Sequence, residues 1–426
     1  MIHSAAGRIR KVLILTRETL GLLNTTTTPS EITRLHETCT EFAKEGYRIL
    51  IAVNFTPSLM KEYLESSAED RNANFQGLIP LVNPGDLGKS CMFTGSWAQD
   101  AFDFRQEGET TVLCFNDGCW FFFEQLNEIA FSGKMKLEPN DDFPKGGNLL
   151  FGGLDQVRYV ISTTPEKRKR NEYNQELKRF YPHLQTWAFS NKYPGKLSHS
   201  FYHVDLYLTI GGVIPKIDEQ RETIFVAAPV SSNALVADAA RHWLGEVKEE
   251  LSDFGKQSAQ PITISELPMY IVDDGDERFT LSYNNCHVEN YTVGDRRVIR
   301  MFMPDYTCAV TDYIEHGCKY VPDPGYPLES GNVNNRQLAW DRLMEKVGIV
   351  SEEFPDPKSE VSPISAAIDV HKIAREVEML QSQLKNKLEA LDIEVRFVGD
   401  GYKDMIRYNR GGLHCIAKVI ERGPVQ

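Results

Sequence analysis

Arg48-Ile49-Leu50-Ile51-Ala52-Val53-Asn54 is a short apolar run that follows a glycine, Gly46, and closes on an asparagine. It reads as a strand. Upstream, Val12-Leu13-Ile14-Leu15-Thr16 reads as a buried strand. Between the two, residues 30–45 read as a helix. Ser30 is placed as its N-cap, Ile32, Leu35, Cys39 and Phe42 fall on one stripe, and Gly46 stops it. A short helix near 57–66 and a strand near 75–82 follow. Strand, helix and strand in alternation define an α/β chain.

Further along, the sequence predicts strands at 109–115, 148–152, 157–163, 203–210, 223–228, 268–273, 279–284 and 297–303. It predicts helices at 171–181, 232–252 and 335–347. The strongest helical pattern covers 364–391, where Ile368, Ile373, Val377, Leu380, Leu384, Leu388 and Leu391 recur at spacings of three to five. A strand at 393–398 follows at once, so this helix is expected to pack on a sheet rather than to find a coiled-coil partner. The spans 321–334 and 350–363 are rich in Pro, Gly and Asn and read as long loops. No linker, low-complexity tract or strict repeat divides the chain. One domain over residues 1–426 is expected, with 1–34 as a lead-in.

The chain has 426 residues, 41% of them hydrophobic and 25% charged, which supports a large core. Its net charge of −13 argues against nucleic-acid binding, which depends on Lys and Arg neutralising phosphate. Such a surface serves solubility and can also steer cationic substrates. The eight cysteines are scattered, with no metal-site spacing, so reduced thiols, no metal and a cytoplasmic location are expected. The longest apolar run, Cys119-Trp120-Phe121-Phe122-Phe123, is far short of the roughly 20 residues that span a bilayer, and no membrane association is expected.

Five short segments could carry chemistry. Near the C-terminus, Gly411-Gly412-Leu413-His414-Cys415 sets a thiol just after a glycine pair that lets a ligand approach the backbone. A cysteine among apolar neighbours is as readily an inert core residue. In His203-Val204-Asp205 an imidazole and a carboxylate would share one face if the segment were a strand. Trp97-Ala98-Gln99-Asp100 offers a carboxylate beside a flat apolar wall, a layout that can grip a cation. Gly146-Gly147-Asn148 and Ser282-Tyr283-Asn284-Asn285 supply amides that could fix a loop or a substrate.

Taken in this order, the segments resemble the guanidine-modifying superfamily of peptidylarginine deiminases, agmatine deiminases, arginine deiminases and amidinotransferases. Residues 97–100 resemble the W-x-Q-D motif of the peptidylarginine type, and 146–148 the Gly-Gly-Asn segment after it. Residues 203–205 resemble the His-x-Asp motif, and 406–418 the surroundings of the nucleophilic cysteine. Residues 282–285 are similar to a Ser-Tyr-x-Asn stretch of agmatine deiminases. Gln99 stands where agmatine deiminases usually carry Arg. Leu206 and Tyr202 replace an acid and a glycine that usually flank the His-x-Asp motif.

The resemblance implies a five-module pseudo-fivefold α/β propeller, the pentein fold, with a central active-site funnel. It implies a cysteine-dependent hydrolase of C–N bonds in amidines, with peptidyl-arginine as favoured substrate and citrulline as product. Agmatine or free-arginine deimination, amidino transfer and an inactive binding homologue are the alternatives. Cys415 would be the nucleophile and His203 the general acid and base, with Asp100 and Asp205 gripping the guanidinium. Trp97 would pack on the substrate's methylene stem, while Asn148 and Asn285 would orient substrate or adduct. On a strand, His414 would face away from the Cys415 side. No cofactor is implied, and calcium dependence is not carried over. The partner would be an arginine-containing protein or a small guanidine, and a homodimer is compatible with the family.

Overall fold

The computed structural model describes residues 4–14, 42, 44–53, 77–80, 101–115, 120–140, 144, 146–154, 156–165, 168–190, 201–231, 233–258, 261–273, 278–307, 370–398 and 413–423, with residues 51–53, 77–80, 273, 278–279, 370–371 and 415–416 described by their backbone alone. Its strands are β1 (Ile9–Ile14), β2 (Arg48–Val53), β3 (Gly77–Pro80), β4 (Phe102–Glu107), β5 (Thr110–Phe115), β6 (Lys136–Pro139), β7 (Leu150–Gly152), β8 (Tyr159–Thr163) and β9 (Gln185–Phe189). They continue with β10 (Leu208–Val213), β11 (Glu222–Ser231), β12 (Ile262–Asp273), β13 (Arg278–Ser282), β14 (His287–Val293), β15 (Arg296–Pro304), β16 (Glu394–Val398) and β17 (Ala417–Arg422).

These strands form five sheets, in the orders β17-β1-β2-β3, β4-β5-β6, β7-β8-β9, β10-β11-β12-β13 and β14-β15-β16. One pattern recurs in all five. The first strand pairs antiparallel with the second, and the second pairs parallel with the third. A parallel pair needs a crossover. In four sheets a helix lies between those strands in the chain: Trp120–Phe131, Arg170–Phe180, Ala234–Gln257 and Val370–Glu389. In the remaining sheet β17 closes the C-terminal part of the chain onto β1. Two hairpins, β4–β5 and β14–β15, turn on two residues that begin with Gly108 and Gly294. Their φ of +59° in each case is the left-handed backbone such turns ask of a glycine.

The middle strands carry the core. All five residues of β8 are buried, and β11 is buried from Glu222 to Ala227, as expected where both faces of a strand are covered. The helix Val370–Glu389 buries Ile373, Val377, Leu384 and Leu388 against β12 and β16, so it packs on sheets as its period predicts. The run at 119–123 has a different fate. Trp120–Phe131 is a helix whose Phe122, Phe123, Leu126, Ala130 and Phe131 join Phe102, Phe104 and Phe115 in an aromatic layer. Burying each such ring is worth roughly 1.5–3 kcal/mol.

Other predicted elements hold with shifted ends, the largest shift being β12, which begins at Ile262 rather than 268. Residues 203–207 are not a strand, as described below. The helices predicted at 57–66 and 335–347 and the loops at 321–334 and 350–363 lie outside the described residues, as does nearly all of the 30–45 helix. No helix among the described residues is long and apolar enough to cross a membrane.

Candidate functional site

Asn148 is the first fixed point. It ends a single 3-10 turn, Gly146–Asn148, and is 4% exposed. Its Oδ1 accepts from the backbone N–H of Thr163 at 2.9 Å and of Val204 at 3.1 Å, and its Nδ2 donates to the Thr163 carbonyl at 2.6 Å. One amide thus ties β8 to the segment that follows His203. Both ends of the side chain bond backbone, so Asn148 positions this turn.

The His203-x-Asp205 segment departs from the expected strand. His203 has extended dihedrals (φ −121°, ψ 142°) and caps a 3-10 turn over Val204–Leu206. Alternation therefore does not set the relation of His203 to Asp205. The turn does, held by Asn148 at Val204 and by the Ser282 hydroxyl, which donates to the Leu206 carbonyl. His203 is partly exposed, with its ring 4.4 Å from that of Tyr202, while Asp205 is 1% exposed.

Asp205 is the centre of the arrangement. Its Oδ2 accepts from Asn285 Nδ2 at 2.9 Å and lies 2.9 Å from His414 Nδ1. Asn285 also accepts, through Oδ1, from the backbone N–H of His414 at 3.0 Å. Asp205, Asn285 and His414 close a three-membered network from three distant parts of the chain. A buried carboxylate whose Oδ2 is held from two sides in this way is held rigidly.

His414 corrects a second expectation. Residues Leu413–Ile416 form a short helical turn, not a strand, so alternation does not direct His414 away from its neighbour. Its ring faces Asp205. Cys415 lies in the same turn, directly after His414, and only its backbone is described. Trp97 and Asp100 lie outside the described residues.

The surroundings contain groups with no counterpart in the sequence motifs. A cavity of about 90 Å³ is lined by Asp103 of β4, Leu150 of β7, His287 of β14, Lys418 and Arg422 of β17, and His414. A smaller one, about 10 Å³, shares Leu150, His414 and Arg422 and adds Asp205 and Thr209 of β10. The first strands of all five sheets therefore meet at these two spaces, and the Asp205 network sits there. His287 is 1% exposed with its ring 4.9 Å from that of His414. Burial first, then the nearby His414 and Arg422, push its pKa well below the usual histidine range. His287, Asp103 and Arg422 lie outside the sequence motifs, because nothing in their local sequence marks residues that converge only through the fold, and Lys418 closes the 406–418 segment with no role assigned to it there. Among the described residues no group of three His, Cys, Asp or Glu side chains could hold a metal ion.

No family model matches the sequence, and no curated protein matches it. Solved structures do match. The likeness to the agmatine deiminase of C. jejuni has a TM-score of 0.51 at 13% identity, over 99% of this chain and 97% of that one. That to a protein from Porphyromonas gingivalis assigned as an arginine deiminase has a TM-score of 0.52 at 13% identity, over 99% and 98%. That to the agmatine deiminase of Enterococcus faecalis has a TM-score of 0.50 at 11% identity, over 98% and 94%. At these identities the likeness concerns the fold, and over nearly its whole length this mixed α/β chain has the fold of solved agmatine and arginine deiminases.

Proposed function

We propose that this chain is a cysteine-dependent guanidine deiminase acting on a small substrate of the agmatine class, with its five sheets closed as one five-module propeller domain around the shared cavities. The observation that carries the reading is the buried Asp205 carboxylate, held by Asn285 and His414 one residue from Cys415. A guanidinium is a planar cation, and a fixed carboxylate can pair with its N–H groups. Holding the plane also holds the central carbon near the thiol, a proximity gain worth several orders of magnitude.

In the reaction, the Cys415 thiolate attacks the guanidinium carbon and forms a C–S bond. His203 supplies a proton to one nitrogen, the C–N bond breaks, and ammonia leaves. A thiouronium on Cys415 remains. His203, now neutral, takes a proton from water as the water attacks the same carbon. The C–S bond then breaks as the adduct's hydroxyl proton passes to solvent, returning the thiolate and releasing a neutral ureido product. Asp205 and Asp100 hold the cation, and Trp97 packs on its methylene chain.

The small-substrate reading replaces the peptidyl-arginine preference. The solved structures that share the fold are named for agmatine and for arginine. Agmatine carries two positive charges, which suits a chain of net charge −13. The test is a ureido and ammonia assay on agmatine, free arginine and an N-acylated arginine amide, with Cys415→Ala beside the parent chain. Equimolar ammonia and ureido amine from agmatine, lost in Cys415→Ala, supports the proposal. Turnover that survives in Cys415→Ala removes it, and turnover of the acylated amide alone returns the peptidyl reading.

A further inference from the structure

Gln381 stands where the helix Val370–Glu389 should be apolar. It falls on the stripe of Ile373, Val377, Leu384 and Leu388 that packs on the sheets, and it is 8% exposed. A buried amide at such a place costs stability unless its hydrogen bonds are made. Both ends of this one are used. Its Oε1 accepts from the Tyr283 hydroxyl at 2.9 Å and from the Tyr306 backbone N–H at 3.4 Å, and its Nε2 donates to Asp305 Oδ1 at 3.0 Å.

Tyr283 and Tyr306 in turn meet at Ser282. Their rings pack edge to face with centres 5.2 Å apart, and the Tyr306 hydroxyl donates to the Ser282 carbonyl at 3.0 Å. Ser282 is 1% exposed and joins the two turns of the candidate site. Its carbonyl also accepts from Asn285 N–H at 3.3 Å, while its hydroxyl accepts from Asn284 N–H at 3.2 Å and donates to the Leu206 carbonyl. Asn285 bonds Asp205 directly, and Leu206 follows Asp205 in the 3-10 turn. Two routes thus run from Gln381 to Asp205, one through each turn, and every residue on them is buried.

We propose that Gln381 is a positioning residue for the guanidine chemistry, an inference that rests on the deiminase reading above. It fixes the Asp205 carboxylate through Tyr283, Tyr306 and Ser282 without touching substrate. A leucine would pack on this helix stripe as well, so the amide serves the site rather than the core.

The test is the double variant Tyr283→Phe/Gln381→Leu, which removes both partners of one buried hydrogen bond and keeps the ring contact and an apolar helix face. Asp305 Oδ1 retains the Thr307 N–H at 2.9 Å and the Thr307 hydroxyl at 2.5 Å. Removing both partners together is close to neutral for stability, so the Tm should stay within about 2–4 °C of the parent. What should change is the site. KM for agmatine is expected to rise about three- to tenfold with kcat down by less than about twofold, since a loosened carboxylate loses its grip on ground and transition state alike. Amide hydrogen exchange on the full chain, followed by mass spectrometry, should quicken about tenfold over residues 203–207 and 282–286 and keep the parent rate in β5. Tyr306→Phe, which breaks the bond to the Ser282 carbonyl, should move KM and exchange in the same direction, and it decides the matter if the double variant does not fold. Parent-like KM or parent-like exchange over 203–207 overturns the proposal. So does exchange raised equally in the site and in β5, the mark of a residue that serves stability alone. A parent chain that turns over no guanidine removes the deiminase reading, and the exchange pattern then decides by itself whether Gln381 holds the Asp205 turn.

Discussion

His414 Nδ1 lies 2.9 Å from Asp205 Oδ2, across 209 residues of chain. The contact joins the residue before the proposed nucleophile to the proposed substrate carboxylate. Its removal should therefore be felt in chemistry as well as in stability. In His414→Ala the 1% exposed carboxylate loses a donor, which costs roughly 1–3 kcal/mol. We expect agmatine turnover at least about tenfold lower, because a loosened carboxylate misplaces the guanidinium plane. His414→Gln, which can still donate to Asp205, should recover part of both losses. Urea unfolding and ureido kinetics on the three proteins check this. Parent-like kcat/KM in His414→Ala would remove the pair from the mechanism.

Asn148 predicts a different split. Its amide satisfies Thr163 N–H, Thr163 C=O and Val204 N–H. Asn148→Ala strands three backbone groups in a buried place, a loss of roughly 2–4 kcal/mol when they are only partly rehydrated. Asn148→Asp keeps the acceptor but sets a carboxylate against the Thr163 carbonyl, so it should not rescue. Activity per folded molecule should fall with the turn at 204–206 that Asn148 pins, while KM for agmatine rises more than kcat falls. A variant unfolding in urea at the parent midpoint would show that the three bonds matter little.

What the sequence reveals depends on how local each cause is. The Val370–Glu389 helix is legible because its 3.6-residue period spans twenty residues. The helix Trp120–Phe131 is not, because four consecutive aromatic residues hide the period that burial of Phe122, Phe123, Leu126 and Ala130 later displays. Asp205 and Asn285 are visible as chemical candidates, and the fold does bring them within hydrogen-bond reach. The His203–Asp205 strand is misread because the extended conformation stops at His203. The turn after it is set by Asn148 and Ser282, 56 and 76 residues away from their partners. His414 is misread for the same reason, since alternation applies only to strands and this segment is a helical turn.

Glu289 tests the packing beneath the site. It is fully buried, accepts from Ile9 N–H at 2.9 Å, and pairs with Arg300 at 3.0 Å. Arg300 also reaches Glu45 at 2.7 Å and Glu394 at 2.8 Å. Glu289→Ala removes the inner partner and an acceptor for β1, so a loss of roughly 3–5 kcal/mol is expected. Glu289→Gln keeps the acceptor, and two carboxylates still hold Arg300, so it should lose less than half as much. Guanidinium unfolding separates the two variants. Equal losses would mean that the charge, not the hydrogen bond to β1, is what Glu289 provides.

His287 makes stability depend on pH with a defined sign. Burial, His414 and Arg422 hold its folded pKa well below the ordinary value of 6.5. Below about pH 6.5 the unfolded chain binds a proton that the folded chain refuses. The free energy of unfolding therefore falls as pH drops, by at most about 1.4 kcal/mol per pH unit for one such group. Above pH 6.5 both states leave the ring neutral, and the slope from this group vanishes. Asp103 and Glu222 act in the opposite sense. Burial raises both folded pKa values, so below those values the folded chain holds protons that the unfolded chain has released, and stability gains as pH falls. The histidine contribution is isolated by comparing urea unfolding of the parent chain and His287→Gln between pH 5 and pH 8. The variant should show a flatter decline below pH 6.5 and an unchanged slope above it. Identical slopes below pH 6.5 would mean that His287 takes up a proton in the folded state, and that its burial is relieved by a partner the ring does meet.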